Sequence, residues 1–515
     1  MSGHAILRRT LGALGIGAVA ALALAPVAAS AQERTLSIVA PWEIGGTDPS
    51  KSGYVFTRLE VAETLLDADD GGQPRPALAA SWTVSDDRLT WRFRLRDGVR
   101  FHDGTPMTAD AAVASLRHAL GKPGPLKQAP VADIDADGGE IVIRLSEPFG
   151  PLPATLAHNS TLILAPAAYA ENGQVMQVIG TGPYRIERLE PPQRLVAARF
   201  PDYWGAKPAV ERIGFLAAGR GETRALMAES GDADIVFTLD PASQKRLRGN
   251  RKLQVHAVPI PRTVALKVNA GHPFLQDVRA REALSLTIDR AGIAAAILRT
   301  PDAAAGQLLP PSLPDWHVSG LAPLGRDVAR ASALLAELGW TRGADGILER
   351  GGQPFRLTLR TFPDRPELPL IATAIQDQAR AAGIDLRVAI GNSSDVPAGH
   401  RDGTLDLALM ARNFALIPDP LATLLEDFGP AGGDWGAMGW SEPRMEAVLA
   451  ELRDATDPVR RAELRRQAVT LLQAGLPVIP VARYQQTAAV SKRVEGFTID
   501  PFERSYRISS LRWAP

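Results

Sequence analysis

The chain of 515 residues contains no cysteine. Disulfide bonds, a thiolate nucleophile and a cysteine-based zinc site are therefore all excluded. The chain also lacks an excess of either charge, because 57 Lys and Arg residues balance 57 Asp and Glu residues. This balance offers no electrostatic basis for binding nucleic acid or an anionic membrane. A chain of this length is too long for one hydrophobic core, so two or more large lobes are expected.

The common enzyme motifs are missing as well. The sequence has no His-Glu-x-x-His, no Gly-x-Ser-x-Gly and no Walker phosphate loop. The segment 219–221 (GRG) begins like a dinucleotide loop but lacks its third glycine, and 180–183 (GTGP) ends in a proline that removes a backbone donor. The eight histidines are scattered, and single histidines are seldom metal ligands. We therefore predict no catalytic residue, no metal site and no cofactor, and no enzymatic activity.

Long apolar runs are absent except near the N-terminus. Arg8 and Arg9 precede the mostly apolar segment 11–24, and a small-x-small sequence follows at 29–31 (ASA). The apolar run is short for a membrane span, which needs about 20 residues. This order is typical of a secretory signal peptide, so we predict that residues 1–31 are cleaved and that the protein is exported to the periplasm. Both the Sec and the twin-arginine route remain open.

The segment 91–120 has the most regular pattern in the chain. Trp91, Phe93 and Leu95 alternate with arginines, which predicts a half-buried strand. A turn at 97–98 (DG) is expected to lead into a short return strand at 99–101. Thr108 then follows as an N-cap for an amphipathic helix. By pattern alone this segment is scaffold.

The same segment carries a resemblance to a known family. Residues 95–116 (LRDGVRFHDGTPMTADAAVASL) resemble the signature of extracellular solute-binding protein family 5, whose members serve ABC importers of peptides, nickel chelates and opines. Further matching segments lie along nearly the whole chain: 77–82 (ALAASW), 180–184 (GTGPY), 202–205 (DYWG), 278–284 (VRAREAL) and 339–340 (GW).

The resemblance implies a periplasmic binding protein-like α/β fold of type II, cluster C. Two lobes would be joined by two crossing strands, the first of them near 259–262. Lobe I would span 32–258 with an extra subdomain at about 66–180, lobe II would span 259–481, and 482–515 would return to lobe I. A solute held between the lobes would keep them closed. The expected partners are this solute and a membrane permease, with the receptor acting as a monomer.

Apolar patterns place several elements within this scheme. The order strand 213–216, helix 222–229 and strand 233–237 predicts a parallel βαβ unit. A helix is predicted at 58–66, and an apolar strand at 405–410 precedes the loop 411–420 (ARNFALIPDP). In the family, this loop faces the cleft from the second lobe.

Candidate ligand contacts follow from these placements. Arg412 is the first candidate, because a guanidinium can hold a carboxylate through two parallel hydrogen bonds. A salt bridge within the lobe is the alternative role for Arg412. Asn413 lies beside it, and Arg58 is a second cationic candidate from lobe I. Four aromatic residues are candidates for apolar walls of the pocket, with core packing as the alternative for each: Trp42, Tyr54, Phe414 and Trp435.

The class of solute stays open at this point. Relatives that bind peptides carry an Asp three residues before the Asp-Pro of the loop, and that place is Leu416 here. In nickel-chelate binders the loop carries Arg, Trp and Tyr, with a His further on. This chain has Arg412, Phe414 and Pro418 at the first three places, and Gly432 lies where the His is expected. Peptide, metal chelate and opine-like carboxylate all remain, and a periplasmic enzyme or a chaperone-like binder is the rival class.

Overall fold

A computed structural model describes residues 34–430 and 432–515. The predicted signal peptide, residues 1–31, lies outside the described residues. The described chain forms 21 β-strands: β1 Thr35–Ala40, β2 Leu66–Ala68, β3 Pro74–Pro76, β4 Ala79–Val84, β5 Thr90–Leu95, β6 Val131–Asp137, β7 Glu140–Leu145, β8 Tyr184–Glu190, β9 Arg194–Arg199, β10 Arg212–Ala217, β11 Ile235–Phe237, β12 Leu253–Val268, β13 Thr341–Arg342, β14 Leu348–Arg350, β15 Gln353–Pro354, β16 Arg356–Thr361, β17 Asp385–Ile390, β18 Leu407–Asn413, β19 Val478–Ser491, β20 Val494–Glu495 and β21 Arg512–Trp513.

The same residues form 14 α-helices: α1 Pro49–Arg58, α2 Ala109–Leu120, α3 Pro125–Gln128, α4 Leu152–Thr155, α5 Gly221–Ser230, α6 Pro241–Arg248, α7 Val278–Thr287, α8 Arg290–Gly292, α9 Val328–Glu337, α10 Glu367–Ala381, α11 Asp395–Arg401, α12 Pro420–Phe428, α13 Pro443–Asp454 and α14 Pro458–Gly475. None of the helices in the described ranges is both long and apolar enough to cross a bilayer.

Two long strands organise the fold. The largest sheet has the order β17-β16-β18-β12-β19-β11-β1-β10-β9-β8. The antiparallel pair β12 and β19 runs through its middle, with a break in register between Pro259 and Thr263. The first half of this pair borders β11 and the second half borders β18. The two strands therefore belong to both lobes and join them, as the predicted type II α/β fold requires.

Separate hydrophobic cores lie on either side of this crossing. One cluster takes almost all its members from 260–484, and a second takes its members from 36–62, 162–217, 235–237 and 488–511. A third cluster, drawn from 65–165, packs under the four-stranded sheet β4-β5-β7-β6 and helix α2. The expected domain limits at 258/259 and 481/482 fall inside β12 and β19, because each strand continues from one lobe into the other.

Several elements form as the sequence pattern predicts. Strands β4 and β5 pair antiparallel, and Thr108 caps α2 by accepting a hydrogen bond from the backbone N–H of Ala111 at 3.2 Å. Strands β10 and β11 are parallel to each other, as a βαβ unit requires, with β1 between them.

Two predicted elements are wrong. Residues 99–101 make only an isolated bridge between Arg100 and Pro106, because β7 takes the edge of β5 that a return strand would need. The predicted helix at 58–66 begins where α1 ends. Asp48 starts α1 earlier by accepting from the N–H of Ser50 at 2.9 Å, and Glu60, with a φ of 55°, lies outside helical geometry.

Candidate functional site

Glu503 lies between the lobes and is bound from both sides. Its Oε2 accepts hydrogen bonds from the guanidinium of Arg262 on β12 and from Nδ2 of Asn413 on β18, the latter at 2.7 Å. From lobe I, Nε of Arg58 donates to the backbone carbonyl of Glu503 at 2.8 Å, and Nη2 lies 3.9 Å from Oε1. All four side chains are buried. One residue of the C-terminal segment thus links the end of α1 to the strands of lobe II.

A tight turn presents Glu503 to these partners. The carboxylate of Asp500 accepts hydrogen bonds from the backbone N–H groups of Phe502 (2.9 Å), Arg504 (3.1 Å) and Ser505 (3.1 Å). Glu503 itself has a φ of 56°, a conformation that non-glycine residues adopt only when their surroundings hold them there. The turn is therefore built to place this one carboxylate.

The charges around Glu503 hold it ionised. Burial by itself would raise the pKa of Glu503, but the guanidinium groups of Arg262, Arg58 and Arg365 together lower that pKa to about 2. Burial also lowers the pKa of Arg262 to about 10, with the nearby charge of Arg365 adding to the effect. Both groups remain charged at neutral pH, so the interlobe contact is ionic over the physiological range.

Arg365 adds a third guanidinium to this place from the turn before α10. Its guanidinium carbon lies 4.7 Å from the ring centroid of Tyr484 on β19, and that of Arg262 lies 5.5 Å from the same ring. Such distances permit cation–π attraction. Glu367, the first residue of α10, is buried nearby, and burial raises its pKa although Arg365 opposes the shift. We call Arg58, Arg262, Arg365, Glu367 and Glu503 the interlobe charge cluster.

Two of the predicted aromatic residues cover the lobe I side of the cluster. The guanidinium carbon of Arg58 lies 4.3 Å from the ring centroid of Trp42 and 5.4 Å from that of Tyr54. The hydroxyl of Tyr54 donates to the backbone carbonyl of Glu43 at 2.6 Å, which fixes the ring. Arg58 is thus held between rings on one side and Glu503 on the other.

Arg412 engages a carboxylate within its own lobe. Its Nε and Nη2 donate to the two carboxylate oxygens of Asp427 at 2.7 and 2.8 Å, and Glu426 lies 3.6 Å away. Asp427 is 1% exposed and belongs to α12, a helix that Asp419 caps through the N–H of Leu421. The bidentate pair that a ligand could make with Arg412 is therefore made by the protein.

His158, from the extra subdomain, lies close enough to Arg412 of lobe II for the charge of the arginine to act on its imidazole ring. Its Nδ1 accepts from the backbone N–H of Ser160 at 3.2 Å, so the proton of the neutral ring is on Nε2. Burial lowers the pKa of His158 to about 4, and the charge of Arg412 acts in the same direction. His158 is therefore a neutral hydrogen-bond donor at neutral pH. No group of three or more metal-binding side chains occurs in the described parts of the chain.

The remaining predicted contacts pack in lobe II. Phe414 is 1% exposed and belongs to the large cluster of that lobe, and its N–H donates to the carbonyl of Pro261 at 2.9 Å. Trp435 is partly buried against the same cluster, with its ring 6.3 Å from that of Phe362. The structure thus brings Trp42, Tyr54, Arg58 and Asn413 together at Glu503 and leaves the other three in lobe II.

Four members of the cluster were not among the predicted residues: Arg262, Arg365, Glu367 and Glu503. Arg262 had a positional signal, since 259–262 was expected to be the first crossing between the lobes. Glu503 and Arg365 had none, because they lie in irregular segments distant from each other in sequence. Two small cavities border this region, one of about 20 Å³ beside Arg58 and one of about 40 Å³ beside Tyr484. Each holds little more than a water molecule, so the lobes must separate for a larger solute to enter.

Two α/β lobes that share a pair of crossing strands and enclose buried polar groups define a type II binding protein. The chain belongs to the bacterial extracellular solute-binding proteins, family 5, whose model matches residues 73–435. Among curated relatives, the nickel-binding periplasmic protein of Escherichia coli K12 is 29% identical over 504 residues, covering 94% of each chain. The glutathione-binding protein of the same strain is 25% identical over 453 residues, covering 85% of this chain and 86% of the relative.

Solved structures show the same fold. NikA from Brucella suis, in complex with Fe(III)-EDTA, superposes with a TM-score of 0.84 at 24% identity and covers 93% of this chain and all of that one. The oligopeptide-binding protein AppA from Bacillus subtilis, in complex with a nonapeptide, gives a TM-score of 0.83 at 19% identity over 94% of this chain and 99% of the other. Members of the family are solute-binding receptors of the periplasm or the cell exterior.

Proposed function

We propose that this protein is a periplasmic receptor that binds a peptide or a related small solute and delivers it to the permease of an ABC importer. The observation that carries the proposal is the buried contact of Glu503 with Arg58 on one side and with Arg262 and Asn413 on the other. A cleft that closes around a polar solute needs polar groups buried between its two lobes, and the crossing strands carry such groups here. The proposed domains are lobe I at 32–258, with its subdomain at about 66–180, lobe II at 259–481 and the return at 482–515.

A metal chelate of the nickel type, or an opine-like carboxylate, is the second candidate solute. Leu416 supplies no carboxylate for the ammonium group of a peptide, and a hydrophobic side chain cannot replace one. The nickel-binding relative supports a metal chelate as the solute, and the glutathione-binding relative supports a peptide. We propose Arg58, Asn413, Trp42 and Tyr54 as lining the site beside Glu503, and Arg412 with the aromatic rings of Phe414 and Trp435 as supporting its lobe II side.

The proposal also covers cleavage of the signal peptide on export and release of the solute without a chemical change. Residues 1–31 would be removed on export, and the mature receptor would act as a monomer that releases its solute unchanged and binds no nucleic acid. Mass spectrometry of the molecule that co-purifies with the exported protein, together with N-terminal sequencing, tests both points. A chemically altered solute after incubation would contradict the receptor function. An intact N-terminus on the exported protein would contradict the predicted cleavage.

The role of Arg412 needs a variant that does not leave Asp427 without its guanidinium partner. Replacing both members of the pair, Arg412→Met with Asp427→Asn, removes the two charges together and keeps both side chains close to their original size. If Arg412 contributes to binding, calorimetry with the co-purified solute will show weaker binding by the double variant. Unchanged affinity would restrict Arg412 to a structural role.

A further inference from the structure

A buried lysine holds one irregular segment of lobe II, residues 433–437, which we call the latch segment. Lys267 lies on β12 and is fully buried. Its Nζ lies 2.7 Å from Nδ1 of His400 on α11. It also donates to three carbonyls of the latch segment: those of Gly433 (3.2 Å), Asp434 (3.1 Å) and Gly436 (2.6 Å). One amino group therefore ties the segment to a strand and to a helix.

The latch segment has a hinge-like residue before and after it and packs directly on α12. Gly432 and Gly439 flank the segment, and each has a φ of 62°, which glycine adopts without strain. A Cβ on Gly436 would lie 2.1 Å from the carbonyl oxygen of Asp427. The N–H of Ala437 donates to the same carbonyl at 2.8 Å. Movement of the segment is thereby coupled to the residue that forms the bidentate ion pair of lobe II.

The short distance between Lys267 and His400 limits how many protons the two side chains can hold. A hydrogen bond of 2.7 Å needs one donor and one acceptor, so Nζ and Nδ1 cannot both direct a proton at each other. If both side chains were protonated, two positive charges would lie side by side away from water, where their repulsion is strong. The closed arrangement therefore disfavours a doubly protonated pair.

Charges on three neighbouring elements act on Lys267. Burial lowers its pKa to about 7, the carboxylates of Asp427 on α12 and Asp434 in the latch segment oppose the shift, and Arg412 on β18 adds to it. The usual pKa of a lysine in water is 10.5. The amino group thus binds a proton more readily when the segment is open than when it is closed.

The imidazole of His400 responds in the same direction. Burial lowers its pKa below the usual 6.5, Lys267 adds to the shift, and Asp434 opposes it. Arg401 also lowers the pKa of His400, but its charge is offset by an ion pair with Asp434. Opening the segment raises the pKa of both groups, so a fall in pH favours the open segment through each of them.

We propose that Lys267 and His400 form a proton-controlled latch, which holds the latch segment in place at neutral and higher pH and releases it as the pair takes up protons in acid. Release withdraws the N–H of Ala437 from the carbonyl of Asp427 and so loosens the counterion of Arg412. Acid thereby weakens the lobe II side of the proposed site, whichever solute binds. This control goes beyond the proposed receptor function, because it acts on the protein without solute.

Hydrogen exchange followed by mass spectrometry tests the latch in the whole exported protein without added solute. After correction for the intrinsic pH dependence of exchange, protection of the amides at 433–437 should fall about tenfold between pH 8.5 and 5.5. The segment 341–350 of lobe II, which contains neither histidine nor lysine, is the internal reference and should keep its protection. Protection of the latch segment that is constant, or that rises in acid, would overturn the inference.

Two substitutions assign the response to the pair. His400→Gln keeps a side chain that can form hydrogen bonds but does not titrate, so the loss of protection below pH 6.5 should disappear while the loss above it remains. Lys267→Met removes the amino group and should leave the segment poorly protected at every pH. His317→Gln, which replaces a lobe II histidine bound to the carbonyl of Leu309, is the matched control and should respond like the wild type.

The outcome for His400→Gln decides the assignment even if Lys267→Met does not fold. A full acid response in His400→Gln would refute the latch. The receptor function is judged separately, by the solute found with the exported protein, so it can stand if the latch fails.

Discussion

Three fully or nearly buried arginines hold backbone segments in place without a carboxylate partner. Arg224 binds the carbonyls around 218–219 and 237–238. Arg281 binds the carbonyl of Gly475 at the end of α14 through Nε and Nη2, at 2.9 and 2.8 Å, and Arg290 binds that of Pro480 at 2.8 Å. The planar fork of donors suits several carbonyls at once.

The pair between Arg412 and Asp427 predicts a strong effect of a single substitution. Asp427→Asn removes the carboxylate and leaves a buried guanidinium without its counterion, so we expect a loss of about 3 kcal/mol in the free energy of unfolding. Urea denaturation followed by tryptophan fluorescence measures it. Glu463→Gln, at the exposed pair with Arg466, is the control and should have no measurable effect. Equal effects of the two substitutions would contradict the structural role of the buried pair.

His102 predicts a pH dependence of stability. Its Nε2–H donates to the carbonyl of Gly182 at 2.9 Å, and burial lowers its pKa to about 4 from the usual 6.5. The unfolded chain therefore binds more protons than the folded one between these values, so stability falls as pH decreases from 6.5 to 4, by up to about 3 kcal/mol.

The contribution of His102 must be measured by difference. Burial raises the pKa of Glu63 to about 7, so this carboxyl favours the folded state as pH falls and acts in the opposite direction. The wild-type stability profile minus that of His102→Gln, from denaturation at pH 4 to 7, isolates the histidine. A difference that does not vary with pH would show that His102 does not titrate in this window.

At the scale of elements, the segment 180–184 (GTGPY) needs glycine at two positions because the neighbouring backbone leaves no room for a side chain. A Cβ on Gly180 would lie 2.4 Å from the carbonyl oxygen of Val61, and a Cβ on Gly182 would lie 2.2 Å from that of Glu60. These distances are too short for any side chain, and the neighbour is backbone that cannot move aside cheaply. The N–H of Gly182 also donates to the carbonyl of Val61 at 3.1 Å. The segment thus packs directly against the chain after α1.

Gly182→Ala should therefore destabilise the protein by about 2 kcal/mol, since forcing an extra methyl group into packed structure costs about 1 to 3 kcal/mol. Gly219→Ala is the matched control, because a Cβ there meets nothing within 4 Å. Thermal unfolding followed by circular dichroism compares the two variants. Similar melting temperatures for both would mean that the chain at 60–62 yields more easily than the geometry indicates.

Loops and strand ends were the least predictable elements. Strand β18 continues to Asn413, beyond the expected end at 410, because β12 provides a partner for residues 407–413. Helix α12 was not predicted, because Asp419 and Pro420 were interpreted as a turn, although an Asp N-cap followed by Pro at the first position is also a local signal for a helix start. The end of β18 was decided by a neighbouring strand.

At the scale of the whole molecule, the two lobes also touch outside the interlobe charge cluster, through the apolar contact of Ala154 with Ile417 and Ala422 and through a few polar contacts. Arg453, on α13 of lobe II, contacts Glu147 of the extra subdomain at 2.7 Å, and the N–H of Gly150 donates to the carbonyl of Arg453 at 3.2 Å. Exposed ion pairs contribute little to stability. Such a contact can open without a large cost, which suits lobes that separate and close.

This predicts a change in distance between the lobes on binding. Because the chain has no cysteine, spin labels can be attached at Gly139→Cys in the subdomain and Ala381→Cys in lobe II, both exposed. Pulsed electron paramagnetic resonance should show a broad distance distribution without solute and a narrower, shorter one with Fe(III)-EDTA or glutathione, whichever binds in calorimetry. An unchanged distribution in the presence of a bound probe would contradict a closing cleft. A single-site label on Gly139→Cys alone controls for association between molecules.

The sequence by itself determined the class and much of the scaffold. The alternation in 91–95, the cap at Thr108 and the apolar strands depend on local periodicity, which is present in the sequence whatever the rest of the chain does. The resemblance of 95–116 to the family signature was likewise readable from the sequence alone. This segment contributes to the core of the subdomain. Tertiary structure alone decided the candidate site: Glu503, Arg365 and Arg58 are far apart in sequence, and their charges come together only when folding buries them in one place.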